Sequence, residues 1–213
     1  MAQRIVHYLL GEALITQEIK DLNRFRVGNL LPDAFSDPSL RRRTHFIREM
    51  ELPDFGRMRV CDFSTFHSRY EAEIRNDDLY LGYYMHLVED AFCRDFWRKE
   101  NLHIPKQDRY VRMLHQDYHI LNQYFVSTRN LSFDVQKPDR FEEEKINEII
   151  PFELTSFLKE FEQDFHDDTQ GELTWLSAQM MERMIASALP VLMHAYHLIK
   201  EENRPLDQEQ FSW

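Results

Sequence analysis

The sequence predicts an all-α protein built as one multi-helix domain. Its 213 residues include only 5 glycines and 8 prolines, so few positions favour turns or interrupt helices. Apolar residues make up 43% of the chain, enough for a sizeable core, and several long segments repeat them at helical spacing. We therefore expect a single helical domain over residues 1–200 and a polar C-terminal tail, expected to be loose, over residues 201–213.

Apolar spacing and the positions of breakers give the expected order of six to eight helices. In chain order the expected helical segments are 4–22, 40–50, 77–98 and 105–125, and the acidic-apolar segments 141–150, 152–165 and 173–200. A short strand over 58–63 is an open alternative in a region broken by Pro53 and Gly56. Pro190 should kink or split the last helix.

Charge and cysteine content exclude several classes of protein. A formal net charge of −11 argues against a broad nucleic-acid-binding surface, because such a surface needs basic residues to neutralise phosphates. Cys61 and Cys93 form no CxxC pair, so a thiolate zinc site is not expected. The chain shows no signal-peptide pattern and no run of about 18–20 apolar residues that would cross a bilayer. We expect a cytoplasmic protein with free thiols, and the oligomeric state stays open.

The stretch LGYYMHLVED places a histidine and an aspartate four residues apart in apolar surroundings. Positions i and i+4 share one face of a helix, so His86 and Asp90 should point the same way. A carboxylate removed from water must be paired, hydrogen-bonded or bound to metal. The two residues are therefore either a buried hydrogen-bonded pair or two ligands of one metal ion.

Further candidate ligands lie in similar settings along the chain. Asp33 follows a proline in LLPDAF, and His45 lies between Thr44 and Phe46. The remaining candidates are His7 beside the apolar stripe of the first helix, and His115 and His119, again at i and i+4. Each also has a purely structural interpretation, as a helix cap for Asp33 and as an interior hydrogen-bonded residue for the histidines.

Imidazole nitrogen and carboxylate oxygen together suit a catalytic zinc site. They also suit Mn²⁺ or Fe, and ligand type alone does not choose among these metals. Two metals about 3.5–4 Å apart, bridged by a carboxylate, are a common arrangement for phosphoester hydrolysis. Asp90 or Asp33 could provide such a bridge.

The order of three motifs resembles the zinc-dependent phospholipase C family and its S1/P1 nuclease relatives. GNLLPDAF is followed about twelve residues later by THF and then by LGYYMHLVEDAF, and the resemblance covers roughly residues 4–125. It implies an all-helical fold in which Asp33, His45, His86 and Asp90 hold one zinc, with Asp33 also a general base. The resemblance also implies that His7 is the counterpart of a histidine that binds a further zinc in that family.

The sequence also departs from the family. Phe96 stands where a further histidine is common, and His115 with His119 is the nearest candidate for a later HxxxE motif. The chain also lacks the signal peptide whose removal gives secreted members their N-terminal ligand. We therefore expect one or two metal ions rather than three.

Three functions follow as hypotheses. The first is a metal-dependent hydrolase that uses metal-activated water on a small phosphoester or phospholipid-like substrate, with the arginines at 41–43 either binding phosphate or serving as solvated helix charges. The second is a non-catalytic all-α protein with a structural or vestigial His/Asp metal site. The third, a phosphohydrolase of the HD type, depends on the single dipeptide His166–Asp167, which lies in a polar stretch.

Overall fold

The computed structural model describes residues 3–15, 18–52, 56–102, 104–105 and 107–211. In this part of the chain there are eight α-helices, one of which is buried among the others, and a two-stranded hairpin is the only sheet. The helices are α1 Arg4–Leu14, α2 Leu22–Leu30, α3 Arg41–Thr44, α4 Phe63–Asn76, α5 Asp78–Lys99, α6 Asp108–Thr128, α7 Leu154–Asp164 and α8 Ala178–Glu202, and the strands are β1 Ile47–Leu52 and β2 Gly56–Cys61. The predicted all-α character is confirmed.

Helix α5 forms the centre of the core. Its side chains are buried around nearly the whole circumference, and it packs against α2, α4 and α8. Asp77 caps its N-terminus by accepting a hydrogen bond from the backbone N–H of Leu79, and Arg98 and Lys99 lie near the negative end of its dipole. A helix that is apolar all round must be buried on all sides. The ionisable residues in its middle, His86, Glu89 and Asp90, therefore have protein rather than water around them.

Two glycines allow α2 and α5 to approach closely. A Cβ atom at Gly28 would overlap the backbone oxygen of Leu79, and one at Gly82 would overlap the backbone oxygen of Phe25 and lie 2.8 Å from the backbone nitrogen of Asn29. The two helices therefore touch through their backbones. This contact sets the distance between Asn29 and the polar residues of α5.

The variant Gly82→Ala should unfold more easily. Alanine favours a helix by about 1 kcal/mol over glycine, but forcing a methyl group into a packed backbone contact costs about 1–3 kcal/mol or more. We expect a net loss of about 2 kcal/mol in the free energy of unfolding measured in urea. Ser187→Ala, at an exposed position of α8, is the control and should change it by less than about 0.5 kcal/mol. Equal stability of the two variants would contradict the close approach.

The N-terminal third differs from the expected helices in two places. The helix expected over residues 4–22 ends at Leu14, and α2 starts separately at Leu22, where the side chain of Asp21 accepts a hydrogen bond from the backbone N–H of Arg24. The helix expected over 40–50 stops at Thr44, because Phe46 adopts a positive φ of 49°. After this turn the chain continues as β1, antiparallel to β2.

Later segments also differ from expectation. Residues 141–150 form short 3₁₀ turns at Phe141–Glu143 and Lys145–Glu148 instead of a regular helix. Helix α8 continues through Pro190 without a split. Proline removes one N–H from the helix and leaves the carbonyl of residue 186 without its partner. Residues 186 and 190 are both exposed, so water can satisfy that carbonyl.

The end of the chain packs against the core instead of hanging loose. Leu206 and Phe211 are buried, and the backbone N–H of Leu206 donates a hydrogen bond to the hydroxyl of Tyr84 at 2.8 Å. The Phe211 ring meets the Phe63 ring edge to face. None of the helices in the described ranges combines the length and apolar character that crossing a bilayer would require.

Candidate metal centre

Four parts of the chain bring five of the predicted ligands together. We call them the central cluster. Its members are His7 of α1, Asp33 at the end of the 3₁₀ turn after α2, His45 directly after α3, and His86 and Asp90 of α5. The three histidines are fully buried and Asp90 is nearly so, whereas the Asp33 side chain is 19% exposed. The cluster therefore has a buried interior and an edge at Asp33 that faces solvent.

The Nε2 atom of His45 lies at the middle of several close contacts. It is 3.3 Å from Nε2 of His86, 3.2 Å from Oδ1 of Asp33 and 3.5 Å from Oδ2 of Asp90. Zinc binds such atoms at about 2.0–2.2 Å, and the edge of a tetrahedron is 1.63 times this length, or about 3.3–3.6 Å. The three contacts have the lengths expected between ligands of one tetrahedral ion.

The other ring nitrogens of both histidines are already engaged. His86 Nδ1 donates to the backbone oxygen of Asn29 at 2.8 Å, which leaves the lone pair on Nε2. His45 Nδ1 lies 2.9 Å from the hydroxyl of Thr44, which itself donates to the backbone oxygen of Arg41. These contacts hold the His45 ring with Nε2 directed into the cluster. The Nε2 atoms of His45 and His86 thus face the same space 3.3 Å apart, which a shared cation could occupy.

His7 extends the cluster on its other side. Its ring stacks on that of His86 with 3.8 Å between centroids, and its Nε2 lies 3.6 Å from Oδ1 of Asp90. This Nε2 is buried and makes no hydrogen bond within the described ranges. His7, Asp33 and His86 form a second group whose ligand atoms lie within 4.8 Å of one another. His7 can thus act as a fifth ligand or take part in a second ion site that shares His86 and Asp33 with the first.

Glu89 and Asn29 complete the surroundings of the cluster, and the sequence did not single them out as site residues. Glu89 is fully buried, with Oε2 2.6 Å from His7 Nδ1, and its Oε1 accepts a hydrogen bond from the Asn29 amide at 2.8 Å. Asn29 therefore supports His86 through its backbone and His7 through Glu89. A metal-binding histidine usually has such a partner on its other nitrogen. The sequence held one signal for this part of the site, because Glu89 is a charged residue in an otherwise apolar stretch.

Arg41 joins the two carboxylates of the cluster. Its guanidinium donates to Oδ1 of Asp33 at 3.0 Å and to Oδ2 of Asp90 at 2.6 Å, and its side chain is 22% exposed. A forked guanidinium suits two carboxylates held side by side. Arg41 and Asp33 together form the solvent-facing edge of the cluster.

The electrostatics favour the protonation states that ligands require. Burial and the charge of His7 hold the pKa of His86 well below its ordinary value, so this ring is neutral at pH 7. Burial opposes ionisation of Asp90 and Asp33. However, interactions of Asp90 with His7 and Arg41, and of Asp33 with His45 and His86, hold the pKa of each carboxyl below its usual range. Both are therefore carboxylates at neutral pH.

His7 behaves differently from these three groups. Burial lowers its pKa, but interactions with Asp90 and Glu89 outweigh burial and raise the pKa to about 10. The same burial raises the pKa of Glu89, against the effect of His7. Without metal, His7 is thus a buried imidazolium paired with two carboxylates, and it must lose a proton before it can bind an ion.

The two histidines of α6 do not join the central cluster, which corrects the expectation that they contribute to it. His115 is exposed on the outer face of α6. His119 Nδ1 lies 2.5 Å from Oδ2 of Asp167, beyond the end of α7. The His115 side chain is exposed and the His119 side chain is 42% exposed, so neither lies among the buried residues around α5. Asp167 of the His166–Asp167 dipeptide pairs with His119 and lies outside the cluster too, so the geometry lends the HD-type hypothesis no support.

No protein family, curated protein or solved structure matches this chain. The functional interpretation therefore depends on the geometry of the central cluster. That geometry places His45, His86 and Asp90 in one group of three and His7, Asp33 and His86 in another. Asp33 also lies 3.2 Å from His45 Nε2, so all four residues that the family resemblance assigned to one zinc lie near this atom.

Proposed function

We propose that this protein is a metal-dependent hydrolase of phosphoesters, with zinc as the preferred metal. The supporting observation is the set of contacts around His45 Nε2, which lies 3.2–3.5 Å from a second imidazole nitrogen and two carboxylates, distances that suit ligands of one ion. A His/Asp ligand set without cysteine is typical of catalytic rather than structural zinc. Mn²⁺ and Fe share these ligand preferences and remain alternatives.

His45, His86 and Asp90 would hold the first ion, with Asp33 beside His45 as a further ligand. His7 would contribute to a second ion only after losing its proton. The first site is therefore proposed to fill before any second one. A bound zinc would lower the pKa of a coordinated water to about 7 and polarise a phosphoryl oxygen.

At the exposed edge of the cluster, side chains of the protein would accept a proton and bind the phosphate. Asp33 is the cluster carboxylate most accessible to solvent, so it is suited to accept a proton from an attacking water, as the family resemblance also implies. Arg41, which is held next to it by hydrogen bonds to Asp33 and Asp90, adds a positive charge that would attract a phosphate. The buried faces of the three histidines keep bulk water away from the other side of the cluster.

The proposed substrate class is a small phosphoester or a phospholipid-like head group. It follows from the resemblance to the phospholipase C and S1/P1 nuclease families, whose fold we propose for this chain as well. The net charge of −11 fits a compact substrate better than a long polyanion. A cytoplasmic location belongs to the same proposal.

One observation favours a second candidate, a non-catalytic protein with a structural His/Asp site. Arg41 already neutralises Asp33 and Asp90 by direct ion pairs. Such a pair can hold carboxylates together without an ion. In that case the cluster would serve to fix α2, α3 and α5 against one another.

Metal removal and replacement test the proposal. The purified protein should contain about one equivalent of transition metal by elemental analysis and should hydrolyse bis-p-nitrophenyl phosphate. Dialysis against a chelator should abolish the hydrolysis, and Zn²⁺, Mn²⁺ or Fe²⁺ should restore it. Ca²⁺, which prefers a larger set of oxygen ligands, is the control and should not restore it. Bound metal without turnover on a panel of phosphoesters would favour the non-catalytic candidate.

A further inference from the structure

A cavity of about 340 Å³ lies on the surface beside α3, the start of β1 and the start of α4. Four arginines line it, Arg42 and Arg43 of α3, Arg48 of β1 and Arg69 of α4. We call it the basic pocket. Its lining includes no member of the central cluster. Four arginines around one cavity are notable in a chain that carries 37 acidic and 26 basic residues.

Carboxylates of the chain do not balance these arginines. Arg42 and Arg43 make no ion pair within the described ranges. Asp62, the one carboxylate in the lining, already accepts two hydrogen bonds from Thr65 as the cap of α4 and pairs with Arg48. Arg69 reaches Glu148 at 3.3 Å, but both side chains are largely exposed, so water weakens this pair. The basic pocket therefore keeps an excess of positive charge.

The basic pocket also has an apolar part of its lining, and one residue there has an unusual backbone conformation. Phe46, Ile47 and Ile149 provide the apolar part. Phe46 has a φ of 49°, which a bulky side chain rarely adopts. Two backbone hydrogen bonds hold this conformation. The N–H of Phe46 donates to the backbone oxygen of Arg43, and the backbone oxygen of Phe46 accepts from the N–H of Asp62. Residues held in such conformations are often found at ligand sites.

We propose that the basic pocket binds the phosphate group of a small organic phosphate, with the organic part resting on Phe46, Ile47 and Ile149. Arginine is the residue that best matches the oxygens of a phosphate, through paired N–H donors in a planar fork. The cavity lies within the size range of small-molecule sites and is larger than a bare phosphate requires. The site is independent of the proposed metal centre and needs no metal ion.

Calorimetric titration with phenylphosphonate tests this site. The probe carries a phosphate-like group and an apolar ring, and its carbon–phosphorus bond resists a phosphoesterase. The intact protein should bind it saturably and more tightly than inorganic phosphate. The double variant Arg42→Gln/Arg43→Gln should bind it at least about tenfold more weakly, because two charge-assisted hydrogen bonds are lost.

The matched control is Arg57→Gln/Arg59→Gln on β2, which removes the same charge from two exposed arginines outside the basic pocket. It should leave the affinity within about twofold, because its arginines are screened by solvent. Equal weakening in both double variants, or no saturable binding by the intact protein, would overturn the proposal. So would loss of binding in His86→Ala with full binding in Arg42→Gln/Arg43→Gln, since the probe would then bind at the metal centre. Arg42→Gln/Arg43→Gln should keep its metal content. A loss of phenylphosphonate binding in this variant then reports on the basic pocket and not on the proposed metal centre.

Discussion

Replacing His86 by alanine is expected to remove the bound metal and abolish phosphoester hydrolysis. His86 Nε2 lies 3.3 Å from His45 Nε2, and the hydrogen bond from His86 Nδ1 to the backbone oxygen of Asn29 fixes the orientation of the ring. Loss of a direct ligand should exceed the roughly 10–100-fold loss of affinity or activity seen when outer partners are changed. Elemental analysis and the rate on bis-p-nitrophenyl phosphate give the two readings.

His197→Ala is the control for this experiment. His197 lies on α8 with its side chain 52% exposed, and its Nδ1 is 3.3 Å from a carboxylate oxygen of Glu201 one turn later. The control should keep both the metal and the activity. A cavity left by His86→Ala also destabilises the core, so circular dichroism must show that the variant is folded. A folded His86→Ala protein with wild-type metal content would remove His86 from the site and refute the proposed centre.

Replacing Glu89 by alanine is expected to cause the largest loss of stability. Glu89 and His7 form a fully buried pair at 2.6 Å, and the pKa of His7 is raised to about 10. Removing Glu89 leaves the buried charge of His7 with Asp90, at 3.6 Å, as its remaining carboxylate, and breaking such a buried pair costs about 3–5 kcal/mol. The free energy of unfolding in urea, measured at pH 7 on chelator-treated protein, should fall by this amount.

Two comparison variants make the result interpretable. Glu89→Gln keeps the shape and an acceptor for Asn29, so it should cost less, about 1–3 kcal/mol. Glu172→Ala, at an exposed position, should change stability by less than about 0.5 kcal/mol. A cost below about 1 kcal/mol for Glu89→Ala would mean that His7 is uncharged in the folded protein, and the assigned pair would be wrong.

Sequence patterns predicted the long helices well and the short elements poorly. The run from Asp78 to Lys99 has a cap, an apolar circumference and basic residues at its end, and these local signals agree with its buried position. The turn at Phe46 has no such signal, because phenylalanine does not favour a positive φ and only tertiary packing holds it there. The hairpin that follows could therefore not be predicted from residues 40–50.

For the candidate site, spacing predicted the pair on α5, and the resemblance added the ligands from other segments. Neither predicted how Asn29 and Glu89 connect His86 to His7, because those contacts depend on how closely α2 and α5 pack. His115 and His119 show the opposite case. Their i and i+4 spacing is as good as that of His86 and Asp90, but they belong to a helix whose histidines face outward. Spacing predicts a shared face and does not show where that face points.

Access to the central cluster has a consequence for selectivity. In the described part of the chain, its buried histidines are screened on most sides, and Asp33 and Arg41 form the rim that solvent reaches. An entering molecule would have to present a narrow anionic end between a carboxylate and a guanidinium, while its bulk stayed on the outer surface. The side chains around this entrance would then determine which substrates bind, and the buried ligands would make the same contacts with each of them.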